Sequence, residues 1–166
     1  MAIEHDYFGV IDETASGGLA WSDTVEMADQ AVEVELLADD ETAVTEYALD
    51  SAAALIQALE GFDARARDAL VAELSSRQSA TSTYIDQHVD SLGESLVDLL
   101  VHNSGDIAVD VLRSLQLLHV VLQPDDAGED EVFATFDYSI SPDDTDAILT
   151  VAFDVRGDVV AVDTQG

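Results

Sequence analysis

The sequence predicts an α+β domain, in which an antiparallel sheet of about six to seven strands carries about three helices on one face. Apolar and polar residues alternate along 3–37 and along 115–164, as in strands with one buried face. Over 44–102, apolar residues recur at helical spacing instead. Because the chain has no repeat of fixed period and no dividing linker, residues 1–166 are expected to form a single domain.

The N-terminal segment is expected to form a meander of three strands. Residues 3–11 make the first, and apolar side chains on both of its faces indicate a strand inside the sheet. Ser16-Gly17-Gly18 is a turn signal. Strands at 21–27 and 31–37 follow, with Asp29-Gln30 as the tight turn between them.

The central segment is expected to form three helices. Their apolar positions are Val44, Ala48, Ala52, Leu55, Ile56 and Leu59, then Phe62, Ala66, Ala69, Leu70 and Leu74, then Tyr84, Ile85, His88, Val89, Leu92, Leu96 and Leu100. Gly61 is expected to end the first helix and Asp63 to cap the second. The third helix should end at Asn103-Ser104-Gly105, and 107–113 should form a short helix or turn.

The C-terminal segment completes the predicted sheet. Residues 115–122 are an apolar run that we interpret as a buried strand, although periodicity alone does not exclude a helix. Three further strands lie within 131–163 as a meander. Their predicted inward residues are Val132, Ala134, Phe136, Tyr138, Ile140, Leu149, Val151, Phe153, Val155, Val160 and Val162. Gly157 supplies the positive φ of the last tight turn.

The composition excludes several classes of protein. The formal net charge is −31, from 36 acidic residues against 5 basic ones, and all the basic residues are arginines. Such a field repels nucleic acid and anionic membranes, whereas a basic protein partner would be attracted. Hydrophobic residues nevertheless make up 48% of the chain, so the chain is expected to fold.

Targeting signals and thiol chemistry are both missing from the sequence. There is no cysteine, which excludes disulfides and thiolate metal sites. The N-terminus lacks the basic and apolar regions of a signal peptide, and no apolar run approaches the roughly 20 residues of a membrane helix. We therefore expect a soluble cytoplasmic protein.

The strongest metal candidates are three carboxylates in one turn, Asp143, Asp144 and Asp146. Carboxylate oxygens bind Ca²⁺, but a calcium loop also needs glycine at its bend and a distal bidentate glutamate, and this turn has neither. Acidic clusters are expected by chance in so acidic a chain. We interpret the segment as a solvated turn and expect neither a metal nor a cofactor.

The loop at 125–131 is the second acidic cluster. Its candidate partner-binding residues are Asp125, Asp126, Glu129, Asp130 and Glu131. With the Asp143, Asp144 and Asp146 turn, this loop is expected at the rim of the C-terminal meander.

No catalytic residue is predicted. His5, His88, His102 and His119 form no H-x-x-x-H or H-E-x-x-H pattern, and the chain has no serine elbow or phosphate loop. We interpret His5 and His119 as polar tips on a sheet face and His88 as a hydrogen-bonded core residue. Trp21 is interpreted as a core residue, with a partner anchor as the alternative.

The order of these motifs resembles a bacterial family. The motifs are DYFG at 6–9, a second strand that begins at Trp21, VEVEL at 32–36, and TD-x-x-L-x-V-x-F-D-x-x-G-x-V from Thr145. The chain is similar over nearly its whole length to a domain of unknown function (number two thousand and four) that is common in actinobacteria. The resemblance implies an α+β fold in a cytoplasmic bacterial protein, and it supplies no catalytic residue.

Two functions are open at this point. The first is a non-enzymatic acidic interaction domain that binds a basic protein; some similar small acidic domains are immunity proteins encoded beside toxins, which is an analogy only. The alternative is a module that binds a small ligand or a divalent metal, or a hydrolase without a recognised motif. A third explanation of the charge, a surface adapted to solubility or to ionic conditions, needs no partner.

Overall fold

The alternating segments at the two ends of the sequence form the two halves of one sheet. The computed structural model describes residues 3–15, 17–27, 30–100, 104–125 and 131–165. In this part of the chain the strands are β1 Ile3–His5, β2 Gly9–Glu13, β3 Leu19–Met27, β4 Gln30–Ala38, β5 Gln116–Leu122, β6 Ala134–Ser139, β7 Ile148–Phe153 and β8 Val159–Gln165. The helices are α1 Glu46–Gln57, α2 Leu59–Glu73, α3 Ala80–Leu92, α4 Glu94–Leu99 and α5 Ile107–Ser114, preceded by a 3-10 turn at Glu41–Ala43.

The strands lie side by side in chain order, from β1 to β8. Neighbouring strands are antiparallel except β4 and β5, which are parallel. The α+β class and the two meanders are confirmed. The expected antiparallel sheet of about six to seven strands with about three helices is wrong in detail, since the described sheet is mixed and has eight strands and five helices. A parallel pair needs a long crossover connection, and all five helices lie in that connection.

One face of the sheet forms the floor of the core. The predicted inward residues Phe136, Tyr138, Val151 and Phe153 are each 0% exposed. The helices pack on this face: Phe62 of α2 contacts Phe153 edge-on, with ring centroids 5.5 Å apart. Burial of these side chains supplies the main driving force for the two-layer arrangement.

The predicted first strand is two strands. Residues 3–11 fold back on themselves as the β1–β2 hairpin, with Ile3 opposite Ile11. Gly9 has φ +67°, which favours glycine. Phe8 is an apolar residue of the turn and contacts Trp21 at 4.7 Å between ring centroids. Of the apolar residues expected on the second face, Phe8 lies in the turn and Val10 of β2 is 60% exposed, and the expectation of an interior strand is wrong because β1 is the edge of the sheet.

The other two N-terminal strands agree with prediction, whereas Gln30, expected in a tight turn, is the first residue of β4. The strands expected at 21–27 and 31–37 lie within β3 and β4. Of the turn signal at 16–18, Ser16 lies outside the described residues, and Gly17 and Gly18 lie between β2 and β3, where the Thr14 amide donates to the Gly18 carbonyl at 2.8 Å. Asp29 lies outside the described residues, and Gln30 is already paired with Met27.

Two helix boundaries differ from prediction. The first break falls at Ala58, whose amide donates to the Ala54 carbonyl, so Gly61 and Asp63 lie inside α2 and neither ends nor caps a helix. The predicted third helix is divided at Gly93, which has φ +52°. Of the short helix or turn expected at 107–113, the structure has the helix, α5, and the strand expected at 115–122 is confirmed as β5.

A polar network joins the two layers. The Tyr138 hydroxyl of β6 donates to Asp63 of α2 at 2.7 Å, and Arg67 Nε donates to both oxygens of Asp63 at 3.1 Å. The guanidinium also donates to the Leu112 and Leu115 carbonyls at 3.2 and 3.0 Å. The Asp63–Arg67 pair thus holds α2 against β6, through Asp63, and against the end of α5, through Arg67.

Removal of the Asp63 carboxylate should destabilise the fold. Asp63→Ala leaves Arg67 and the Tyr138 hydroxyl without their shared acceptor, so we expect a loss of about 2–4 kcal/mol in the free energy of unfolding. Tyr138→Phe should cost about 1 kcal/mol. Urea unfolding measures both. Asp68→Ala is the control, because Asp68 is exposed on the same helix; an equal loss in both alanine variants would contradict the role of the network.

Candidate functional site

The helices leave one face of the sheet uncovered in the described part of the chain. Side chains alternate along each strand, so those next to the buried ones point away from the helices. We call this surface the open face. The side chains that define it are Glu4, Val10, Asp12, Ser22, Thr24, Glu26, Glu33, Glu35, Leu37, His119, Val121, Thr135, Asp137, Thr150 and Asp163.

Positive charge is excluded from the open face. No described strand contains an arginine or a lysine. The arginines are Arg65 and Arg67 in α2, Arg77 before α3, Arg113 in α5 and Arg156 in the β7–β8 turn. The carboxylates of the open face are Glu4, Asp12, Glu26, Glu33, Glu35, Asp137 and Asp163. The face therefore presents negative charge from β1 to β8.

His119 lies near the middle of the open face, between two carboxylates. Its Nε2 is 3.1 Å from Oε2 of Glu35 on β4, and its Nδ1 is 3.6 Å from Oδ2 of Asp137 on β6. The Thr150 hydroxyl on β7 donates to the other oxygen of Asp137 at 2.8 Å. Glu33 is the cross-strand neighbour of His119. The prediction that His119 is a polar residue of a sheet face is confirmed.

Sequence reasoning missed the partners of His119. Glu35 and His119 are 84 residues apart, and only the parallel pairing of β4 with β5 brings them together. The available signal was the alternation of Glu33 and Glu35 with buried valines, which assigns both to a polar sheet face. That signal does not indicate which strand lies beside them.

The predicted partner-binding loop is described only at its ends. Asp125 is half-buried, and its Oδ2 accepts hydrogen bonds from the amides of Asp39 and Asp40 at 2.9 and 3.3 Å. This carboxylate therefore fastens the chain that leaves β4. Glu131 is exposed. The candidates Asp126, Glu129 and Asp130 lie outside the described residues.

The predicted metal candidates lie on the β6–β7 loop. Asp143, Asp144 and Asp146 are exposed. The Ser141 hydroxyl donates to Asp144 at 2.6 Å, and the Asp144 amide donates back to the Ser141 carbonyl at 3.1 Å, which closes a turn. Across the described residues, no group of three or more histidine or acidic side chains has an arrangement that could hold a metal ion.

Two of the other histidines connect helices to the sheet layer, His5 from strand β1 and His88 through the β6–β7 loop. His5 Nε2 lies 2.8 Å from Asp50 of α1. His88 is buried, as predicted: its Nδ1 is 2.7 Å from the Tyr84 carbonyl, and its Nε2 is 3.0 Å from the Thr145 hydroxyl. A carbonyl only accepts, so Nδ1 carries the proton and Nε2 accepts from Thr145. His102 lies outside the described residues.

The buried tyrosines are structural hydrogen-bonding groups. Burial raises the pKa of Tyr138, and the Asp63 carboxylate raises it further. Burial also raises the pKa of Tyr84, whose hydroxyl oxygen accepts from the Ile140 amide at 3.0 Å. Both phenols stay protonated at neutral pH and serve the joint between helices and sheet.

Comparisons of the chain with protein-family models, with curated proteins and with solved structures found no match. Among the described helices, none combines the length and apolar character needed to cross a membrane. The candidate site therefore rests on the geometry and charge of the open face.

The raised pKa of the buried tyrosines predicts alkaline instability. In the unfolded chain a tyrosine ionises near pH 10, so above about pH 10 the unfolded state loses protons that folded Tyr138 keeps. Stability should then fall as pH rises, by about 1.4 kcal/mol per pH unit for each such group. Urea unfolding between about pH 9 and about pH 11.5 measures the slope, and phenolate absorbance reports ionisation.

Tyr138→Phe should lower that slope, whereas Phe133→Leu should not. Phe133 is buried and its replacement weakens the core without removing an ionisable group. An unchanged slope in Tyr138→Phe would exclude Tyr138 as a source of the alkaline instability.

Proposed function

We propose that the protein is a non-catalytic interaction domain and that its open face binds a basic protein. The observation that carries this proposal is the placement of charge: carboxylates on the open face of the strands, and no arginine or lysine on any described strand. A surface of one sign attracts a partner of the other sign and accelerates their association.

The open face also has an apolar part on which a partner can pack. Leu37 is 41% exposed at the end of β4, and Val121 on β5 is half-buried beside Glu35. Interfaces commonly combine an apolar centre with a polar rim, and rim charges govern the association rate more than the final affinity. We therefore assign Leu37 and Val121 to packing and the surrounding carboxylates to steering.

The class of partner follows from the charge. Phosphate-rich partners such as nucleic acid and anionic membranes are repelled, so the partner is a protein with exposed arginine or lysine. A basic toxin neutralised by an immunity-like inhibitor is one such pair. We propose that the protein acts in the bacterial cytoplasm. We also propose that it belongs to the family of unknown function that its motifs resemble.

The alternative of a small-ligand or metal-binding module, or of a hydrolase, stays a prediction. Titration with Ca²⁺, Mg²⁺ and Zn²⁺ and a panel of hydrolase substrates would test it. Heat of binding, a thermal shift or turnover would favour it over the interaction domain.

Neutralisation of carboxylates on the open face should weaken binding more than neutralisation elsewhere. The face variant combines Glu26→Gln, Glu33→Gln, Glu35→Gln and Asp163→Asn. The matched variant combines Asp68→Asn, Asp86→Asn, Asp90→Asn and Asp98→Asn, which are exposed helix positions, so both variants lose the same net charge. We expect the association rate with small basic proteins at low salt to fall about tenfold in the face variant and much less in the matched one.

The measurement is surface-based kinetics at low and high salt, with circular dichroism to establish folding. Equal losses in the two variants would mean that total charge, and no particular surface, governs the interaction. If no basic protein forms a salt-sensitive complex with the wild type, the proposed function fails.

A further inference from the structure

We propose that His119 is a proton-controlled gate on the open face. When His119 is neutral, it donates to one carboxylate at most and leaves the other to a guanidinium or ammonium group of the basic partner; when His119 is protonated, it pairs with both Glu35 and Asp137 itself. This inference rests on the proposed function and adds its regulation by pH.

The geometry places the imidazole where an incoming cation would bind. Nε2 and Nδ1 face different carboxylates, Glu35 at 3.1 Å and Asp137 at 3.6 Å. The side chains of His119, Glu35 and Asp137 are 28%, 40% and 24% exposed, so protons and partner groups reach all three from solvent. Neutral imidazole donates from one nitrogen only, whereas the imidazolium donates from both. Protonation therefore changes the number of carboxylates that His119 occupies from one to two.

The charged groups around His119 are all carboxylates, and each of them favours a positive charge on the imidazole. Strand β4 contributes Glu33 and Glu35 to this side of the sheet, and β6 contributes Asp137. On β5 itself the next residue of the same face is Val121, and on β7 Thr150 binds Asp137. Among the described residues of the open face, His119 is the one side chain that can become positively charged.

These charges determine whether the affinity for a basic partner rises or falls with pH. Among side chains in general, the imidazole of histidine is the group that ordinarily gains a proton between about pH 8 and about pH 6. That proton cancels negative charge at the centre of the face and repels a cationic partner. Affinity for a basic partner should therefore fall as pH falls through this window, and by reciprocity a bound cation should oppose protonation.

The test uses a synthetic oligoarginine peptide as the probe and isothermal titration at about pH 8 and about pH 6. For the wild-type protein we expect the dissociation constant to rise about three- to tenfold from the higher pH to the lower. His119→Gln keeps a donor beside Glu35 but cannot be protonated, so its affinity should stay high at both pH values. His119→Arg carries a permanent charge, so its affinity should be low at both.

His5→Gln is the matched control. His5 also contacts one carboxylate, Asp50, but it lies on the helix side of the sheet. This variant should keep the wild-type response to pH, and circular dichroism should show that all variants are folded.

The possible results distinguish failure of the proposed gate from failure of the proposed binding function. Peptide binding to the wild type with an equal pH response in His119→Gln would overturn the gate and leave the acidic docking surface intact. A loss of the pH response in His5→Gln would also overturn it. Failure of the peptide to bind the wild type at about pH 8 would overturn the docking surface, and the gate with it.

Discussion

The parallel pairing of β4 with β5 is the constraint on which the rest of the structure depends. Its register sets Val34 opposite Val120 and Leu36 opposite Leu122, and all four side chains are 0% exposed. The same register sets Glu33 opposite His119 on the other face. Because side chains alternate, a slip of one residue would bury the glutamates and expose the apolar pairs. The β4–β5 register therefore determines both the core and the charged surface. A change in the register would require a matching change in which residues of the two strands are apolar.

The parallel junction also determines where the helices lie. Two antiparallel meanders can be joined in parallel only by a connection that returns to the starting end of the sheet. Residues 39–115 make this connection and contain all of the described helices. A crossover that packs on one face leaves the opposite face to solvent. That face must then carry polar side chains, and in this chain those are mostly carboxylates.

The scarce arginines serve the joint between the two layers. Arg67 bonds Asp63 and two carbonyls at the end of α5, and its guanidinium lies 5.2 Å from the centre of the Tyr138 ring. Arg65 lies over Phe62 and donates to the Gly157 carbonyl at 3.4 Å. Gly157 has φ +87°, a conformation that favours glycine, and a Cβ there would also displace the end of the Arg65 side chain, which would lie 2.8 Å away. These two arginines therefore lie where they support packing between the helices and the sheet.

Local sequence patterns predicted the strands and helices, whereas the surroundings of His119 depend on which strands pair across long distances in the sequence. Alternation identified β4, β6 and β7 and the buried Phe136, and helical spacing identified the core positions of α1 and α3. The break at Ala58 escaped prediction because the glycine at 61 is accommodated in the first turn of α2. The Glu35–His119–Asp137 arrangement escaped it because three strands from distant parts of the chain contribute one residue each. The acidic turn at 143–146 was conspicuous in sequence, yet its geometry is that of an ordinary hydrogen-bonded turn.

The total charge does not distinguish a binding surface from an adaptation to solubility, and the proposed binding surface is supported instead by the position of the counter-charges. Exposed carboxylates occur on the helices as well as on the strands, for example at Asp68 and Asp90. Arg65 and Arg67 lie on the helical side, where they pack between the two layers, so the open face keeps its carboxylates without a counter-charge from these arginines. Here the helical layer holds Arg65, Arg67 and Arg113, while the only group on the open face that can become positive is a histidine, among the residues described. This placement of charge is the observation that supports the proposed binding of a cationic protein.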